Sequence, residues 1–158
     1  LAGEPGDCLT VMKNKEFTRL LLPRVLIFLV LAMNLQCAFA YIFNPLPYVA
    51  PFELGGEPGR AVVIGIGILF VMWQVPYVFA LIHPLSNHRS LIEAVLMQAI
   101  GLVGETLLLR SIPAAQTVLR ASILRFALFD AGGLLLLIIA TAWTFRFLKS
   151  HKGESHVK

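Results

Sequence analysis

Charged side chains are scarce in this sequence of 158 residues: 14% are Asp, Glu, Lys or Arg, and 58% are hydrophobic. A soluble domain typically has about 25% charged and about 45–50% apolar residues. The mean hydropathy of +0.79 points the same way. The composition therefore indicates an integral membrane protein rather than a soluble one, and its length suits one compact domain.

Cysteine and histidine are also few, and their positions do not favour catalysis or metal binding. The two cysteines, Cys8 and Cys37, are far apart and lack CxxC spacing, so neither a disulfide framework nor a metal site is predicted. All four histidines lie in a loop or in the C-terminal tail, and His83 and His88 lack a third ligand. We therefore predict no metal and no cofactor, and the sequence favours a protein that is not an enzyme.

The formal net charge of +4 does not indicate nucleic-acid binding. The basic residues lie at the ends of apolar segments and are not interleaved with aromatic residues in a polar segment. Such flanking lysines and arginines set the topology of membrane proteins. We expect the lipid bilayer to be the main partner, and we expect no nucleic-acid partner.

Four apolar segments are each long enough to cross a bilayer as a helix. They are predicted at about residues 22–43, 61–82, 91–112 and 123–147. The predicted fold is an all-α, integral membrane bundle of four transmembrane helices over residues 20–148. An N-terminal tail, residues 1–19, and a polar C-terminal tail, residues 149–158, flank this domain.

The N-terminal region contains two patterns, one that resembles a translation start and one that resembles a signal-peptide cleavage site. Met12 and the following KNK resemble a bacterial translation start, so residues 1–11 are predicted to lie upstream of the native start. Residues 38–40 match an A-x-A cleavage site after an apolar run. That run is about 19 residues, which is long for a signal peptide, and an uncleaved first span is favoured. Asn34 lies inside this span and is expected to face other helices, because an unpaired amide in hydrocarbon is costly.

The segment over residues 44–60 contains four prolines and three glycines, which exclude a continuous helix. It is either a plain connector or a lid that folds back onto the bundle. In the second span, Pro76 is expected to kink the helix near Trp73, with Gln74 as a partner for the freed carbonyl group. Trp73 is expected to fill the core or to stack on a ligand. Gly65 and Gly67 are expected to permit close helix approach.

The third span has a polar face although it is apolar overall. At about 100° per residue, three polar side chains and two glycines share an arc of roughly 140°: Glu93, Gln98, Gly101, Gly104 and Glu105. Ser90 and Glu93 match a capping box, which gives Glu93 a structural explanation. Glu105 lies inside the apolar stretch and has no such explanation.

Asp130 lies inside the apolar fourth span, as Glu105 lies inside the third. In adjacent antiparallel helices, Glu105 and Asp130 are expected at comparable depth, roughly 7–10 Å below the membrane boundary. Either an arginine pairs with the acids and fixes the helix register, or the acids form the floor of a cavity. The candidate ligand- or ion-binding residues are Asn34, Trp73, Gln74, Gln98, Glu105, Arg110, Arg125 and Asp130.

Basic residues cluster before the first span, in the turn after the second and beyond the fourth, whereas the segment over residues 44–60 has net negative charge. The positive-inside rule therefore predicts that both termini are cytoplasmic, in a bacterial inner membrane. Arg110 and Arg120 lie in the other outer loop and argue against this orientation.

The order of elements resembles the DoxX-like families of small bacterial membrane proteins. The resemblance is carried by Pro58, Gly59 and Arg60 and by residues 61–70, AVVIGIGILF. It implies four transmembrane helices, a proline-containing first loop and a glycine-rich second span after an arginine. Some members of those families are associated with quinol-oxidising or other redox complexes. No haem, flavin or quinone motif is present here, so the resemblance assigns no redox residue.

Three functions remain open from the sequence. The favoured one is a non-catalytic membrane protein, acting as an accessory subunit of a complex or as a bundle that binds a small molecule. The second is a proton- or cation-coupled transporter that uses Glu105 and Asp130 and works as a homo-oligomer. The third is a membrane-embedded lipid-modifying enzyme with the two carboxylates as acid and base.

Overall fold

A computed structural model describes the backbone of residues 5–155 and the side chains of residues 20–149. The helices are α1 (Pro5–Phe43), α2 (Leu46–Val49), α3 (Gly56–Trp73), α4 (Val75–Ile82), α5 (His88–Ser111) and α6 (Thr117–Ser155), with a 3-10 turn at Ala50–Phe52. No strand occurs in this part of the chain. The prediction of an all-α fold is confirmed.

Four helical segments are long and apolar enough to cross a membrane, namely Leu20–Phe43, Gly56–Ile82, His88–Ser111 and Thr117–Lys149. The four-span prediction is confirmed, although helices extend beyond the predicted ends. α1 begins at Pro5, inside the predicted N-terminal tail, and α6 continues to Ser155 in the predicted C-terminal tail. The predicted native start concerns residues 1–11, of which residues 1–4 lie outside the described part.

The four spans close into a bundle because α6 packs against α1 as well as against α5. Short segments join successive spans, so neighbouring spans run antiparallel. The main cluster of buried apolar side chains lies near the turn between α4 and α5, and it includes Ile27, Leu91 and Leu137. This half of the bundle is therefore filled, and the other half contains the cavity described below.

The second span breaks at Gln74, between α3 and α4. Pro76 follows in the first turn of α4 and has no N–H for a helical hydrogen bond. The backbone N–H of Gln74 bonds to the carbonyl oxygen of Val71 at 3.0 Å, so the carbonyl group of Phe70 is left over. The side-chain amide of Gln74 donates to that Phe70 oxygen at 3.0 Å. The predicted break near Trp73 is confirmed. Gln74 binds a carbonyl group at this break, but it is that of Phe70 and not that of Met72, which pairs with residue 76 in a regular helix.

Glycine permits a close approach of α1 and α3 at one position only. A Cβ atom on Gly67 would lie 2.9 Å from the Ala38 carbonyl oxygen and 2.9 Å from Tyr41 Cβ. A Cβ on Gly65 would meet nothing within 4 Å. The expected close approach is correct for Gly67 and wrong for Gly65, because only Gly67 faces α1.

The connection between the first two spans, residues 44–55, folds back over the end of the bundle. The Ser122 hydroxyl of α6 donates to the carbonyl oxygen of Pro51 at 2.8 Å. The Phe52 ring stacks on Phe126 with centroids 5.8 Å apart. We call this segment the cap; it is packed against the spans and is not a loose connector.

The predicted capping box at the start of the third span is wrong. α5 begins at His88 with Asn87 as N-cap, so Ser90 already lies inside the first turn. The turn before α5 ends at Asn87, because the Asn87 N–H bonds to the His83 carbonyl oxygen at 2.8 Å. The Glu93 side chain is exposed on the surface of α5.

Candidate functional site

A cavity of about 640 Å³ lies beneath the cap, between α1, α3, α5 and α6. The predicted polar face of α5 forms one wall, from Met97 and Gln98 through Gly101, Gly104 and Glu105 to Leu108. The helical period of the third span therefore placed these residues on a common face correctly. Glu93, at the start of this face, does not line the cavity.

The floor of the cavity is a chain of hydrogen bonds through three spans. The Tyr77 hydroxyl of α4 donates to Gln98 Oε1 at 2.6 Å. Gln98 Nε2 in turn donates to Asp130 Oδ1 of α6 at 2.8 Å. Gln98 is only 4% exposed, so its amide has lost its water and depends on these two partners.

A second pair of amides extends the polar floor towards α1. Asn34 Nδ2 donates to Gln74 Oε1 at 3.2 Å, and both side chains are buried. Gln74 also binds the free carbonyl group at the helix break, so the break and the floor share one residue. The expectation that Asn34 faces other helices is confirmed.

Asp130 packs against α5 at Gly101. A Cβ on Gly101 would collide with Asp130 Oδ2, so the carboxyl group lies against this glycine. Gly101 precedes Glu105 by four residues, so the two acids meet α5 at positions about 6 Å apart along its axis. The expectation that the two acids lie at comparable depth in the membrane stays a prediction.

Glu105 has a buried carboxylate oxygen, Oε2, for which the described residues provide no hydrogen-bond partner. Arginine does not neutralise it: among the described side chains, the ion pair found is Arg60 with Glu57. Arg125 lines the cavity at the cap end and donates to the Ser122 hydroxyl at 3.1 Å. The pairing of Glu105 or Asp130 with an arginine, one of the two sequence-based accounts, is absent from this part of the chain.

Aromatic rings form much of the remaining wall. Tyr41 is their centre, with ring centroids 4.6 Å from Tyr48 in the cap and 6.0 Å from Phe70 in α3. The other aromatic lining residues are Phe52, Trp73, Tyr77, Phe126 and Phe129. The cavity therefore combines a polar floor with apolar, electron-rich walls.

All of the predicted candidates except Arg110 line this cavity. Arg110 is exposed near the end of α5. Their role in binding stays a prediction. The sequence analysis did not single out Tyr41, Tyr48 or Phe126 as site residues, because aromatic residues in apolar spans look like core. The only available signal was the concentration of aromatic residues beside and within the proline-rich segment.

The lining offers both hydrogen-bond acceptors and donors to a ligand. The amide protons of Gln98 and Gln74 are directed at Asp130 and at the Phe70 carbonyl group. Two acids, Glu105 and Asp130, and one arginine, Arg125, are among the lining residues. Among the described residues, no group of three or more His, Cys, Asp and Glu could hold a metal ion.

No protein-family model, curated protein or solved structure matches this chain. The resemblance to the DoxX-like families therefore stays a prediction. The function has to be argued from the cavity.

Proposed function

We propose that this membrane protein binds a small amphipathic amine in the cavity. The protonated amine lies at Glu105 and Asp130, and the apolar part of the molecule lies against the aromatic walls. One observation carries the proposal: Glu105 lines a cavity of about 640 Å³, and its buried Oε2 has no hydrogen-bond partner among the described residues. Leaving a buried acceptor unpaired costs about 1–3 kcal/mol, which a donor from the ligand would offset.

The chemistry of the walls favours a cationic head over an anionic one. Two carboxyl groups line the cavity, and the one lining arginine, Arg125, is held at the cap end by Ser122. Aromatic faces attract ammonium groups, and Tyr41, Phe70 and Trp73 supply such faces. The volume lies within the range of about 300–1,000 Å³ that is usual for small-molecule sites.

The test uses Trp73 as a built-in reporter. The chain contains two tryptophans, so Trp143→Phe leaves Trp73 as the only one. The protein is placed in phosphatidylcholine nanodiscs and titrated with 11-bromoundecylamine, whose bromine quenches tryptophan fluorescence. We expect saturable quenching with this amine. 11-Bromoundecanoic acid has the same chain and an anionic head, and it should give only unsaturable quenching from partition into the lipid.

Two glutamates of α5 provide matched variants. Glu105→Gln removes the proposed partner of the amine and should weaken its binding about tenfold, which is about 1.4 kcal/mol. Glu93→Gln makes the same change at an exposed residue outside the cavity and should leave the dissociation constant unchanged. Equal affinity in Glu105→Gln and the parent, or equal affinity for the anionic analogue, would contradict the proposal.

A proton- or cation-coupled transporter is the second candidate, since both acids line one cavity. Binding is favoured over transport because the opposite half of the bundle is filled by side chains such as Ile27, Leu91 and Leu137, all fully buried. A transport path would have to displace this core. A lipid-modifying enzyme that uses the two carboxyl groups as acid and base is a third candidate.

We further propose a bacterial inner-membrane location with both termini cytoplasmic, on the distribution of basic residues described above. In this orientation the cap and the cavity lie in the outer half of the membrane. A DoxX-like accessory subunit of a larger complex, or a homo-oligomer, is compatible with ligand binding in this cavity.

A further inference from the structure

The cavity is not sealed from the membrane. Three of its lining residues are also well exposed: Trp73 at 48%, Ile100 at 70% and Leu108 at 50%. Gly104 belongs to the same group, because a Cβ added there would meet nothing within 4 Å. These four residues define what we call the side opening.

The side opening follows from how the second span packs. Below the break at Gln74, α4 packs against α5. Above the break, α3 packs against α1, and within the described chain α3 is not among the close packing partners of α5. A gap between α3 and α5 therefore begins at the level of the break and leads to the polar floor.

We propose that the ligand enters the cavity from within the bilayer, through the side opening between α3 and α5. This inference rests on the proposed function and narrows it. The ligand is then a membrane-dissolved, single-chain amine whose head passes inward to Glu105 while its chain stays near the rim. A ligand taken up from water belongs to a different class.

The rim and the cap support this route. The side chains at the side opening are apolar, and glycine has none. An alkyl chain that moves from the lipid to this rim therefore exchanges contacts with lipid chains for similar contacts with apolar side chains. Access through the cap would instead disturb the hydrogen bond from Ser122 to Pro51 and the stacking of Phe52 on Phe126. The side opening requires no such contact to break.

The test measures rates of binding with the Trp73 reporter in the Trp143→Phe background. Nanodiscs are mixed in a stopped-flow instrument with phosphatidylcholine vesicles that carry 11-bromoundecylamine. Gly104→Leu should narrow the side opening and slow association and dissociation alike, each by about tenfold.

Gly132→Leu is the matched control, since Gly132 is also exposed, has nothing within 4 Å of an added Cβ and does not line the cavity. It should leave both rates unchanged. Ile100→Ala shortens a side chain at the rim and should raise both rates, by about two- to threefold. This variant adds no bulk, so it tests the route even if Gly104→Leu is poorly folded.

The outcomes separate the two proposals. An absence of saturable binding in the parent protein overturns the proposed function and this inference together. Saturable binding with unchanged rates in both Gly104→Leu and Ile100→Ala overturns the lateral route alone. A weaker affinity of Gly104→Leu at an unchanged association rate also overturns the route, because the leucine would then only fill the cavity.

Discussion

Gln98 joins three of the four spans through a single side chain. It accepts a hydrogen bond from Tyr77 in α4 and donates one to Asp130 in α6. Two glycines make room for this arrangement, since a Cβ on Gly101 would collide with Asp130 Oδ2 and one on Gly133 would lie 2.8 Å from Gln98 Nε2. Small residues at a helix contact thus serve here to bring polar groups together.

This arrangement predicts energetic coupling between Gln98 and Asp130. In a double-mutant cycle of Gln98→Met and Asp130→Ala, we expect a coupling free energy of roughly 0.6–1.7 kcal/mol, the range for hydrogen bonds between transmembrane helices. The measurement is equilibrium unfolding in mixed micelles. Thr106→Ala is the control, since the Thr106 hydroxyl bonds to Leu102 of its own helix. Its effect should add to that of Gln98→Met, and additivity in both cycles would contradict the coupling.

The polar face of α5 shows what could be predicted about single residues. The helical period put Gln98, Gly101 and Glu105 on one side because that period is a local property of the backbone. The hydrogen-bond partner of each polar side chain depends on the register between helices. The choice between the two accounts of the acids, pairing with an arginine or forming the floor of a cavity, could not be made from the sequence for this reason.

At the scale of elements, Gly67 sets the distance between α1 and α3. The backbone oxygen of Ala38 and the Tyr41 Cβ both lie 2.9 Å from the position of an added Cβ, and a backbone atom cannot move aside as a flexible side chain can. Gly65 lies on the same helix and faces open space. The two glycines therefore offer a direct comparison.

Gly67→Ala should separate α1 from α3 and lower the free energy of unfolding by about 1–3 kcal/mol. Gly65→Ala should leave it unchanged or raise it by about 0.5–1 kcal/mol, because alanine favours the helix more than glycine. Thermal unfolding in detergent compares the two variants with the parent. Equal stability of the two variants would show that the close approach at Gly67 does not limit the packing.

The cap shows how an element can be predicted in part. The prolines and glycines of residues 44–60 correctly excluded one continuous helix over that segment, since proline removes backbone donors, although residues 56–60 form the first turn of α3. The two alternatives, connector or lid, could not be separated from the sequence. The packing of Phe52 on Phe126 and the bond from Ser122 to Pro51 come from α6, about 70 residues later in the chain.

At the scale of the whole molecule, an even number of spans puts both termini on one side of the membrane. The cap and the short connection over residues 112–116 then lie on the other side. Arg120, which argued against the proposed orientation, donates to the carbonyl oxygens of Leu109 and Ile112 at 2.8 and 2.7 Å. It closes the end of α5, which gives its charge a local structural role.

The proposed orientation is tested by labelling single cysteines in a Cys8→Ser, Cys37→Ser background. Ala114→Cys should react with a membrane-impermeant maleimide in spheroplasts, since residue 114 lies between α5 and α6, which the proposed orientation puts on the outer side. Ser86→Cys, in the turn between α4 and α5, should react only after lysis. The reverse pattern would contradict cytoplasmic termini and would leave the four-span bundle unaffected.

The sequence by itself determined the membrane class, the number of spans, the helix break and the polar face of α5. These properties follow from local composition, from the helical period and from the missing N–H of Pro76. Only the tertiary structure decided that the polar faces enclose a cavity, that Glu105 Oε2 has no hydrogen-bond partner among the described residues and that α3 stands apart from α5. Those features depend on helix register and spacing, which arise from contacts between residues far apart in the chain.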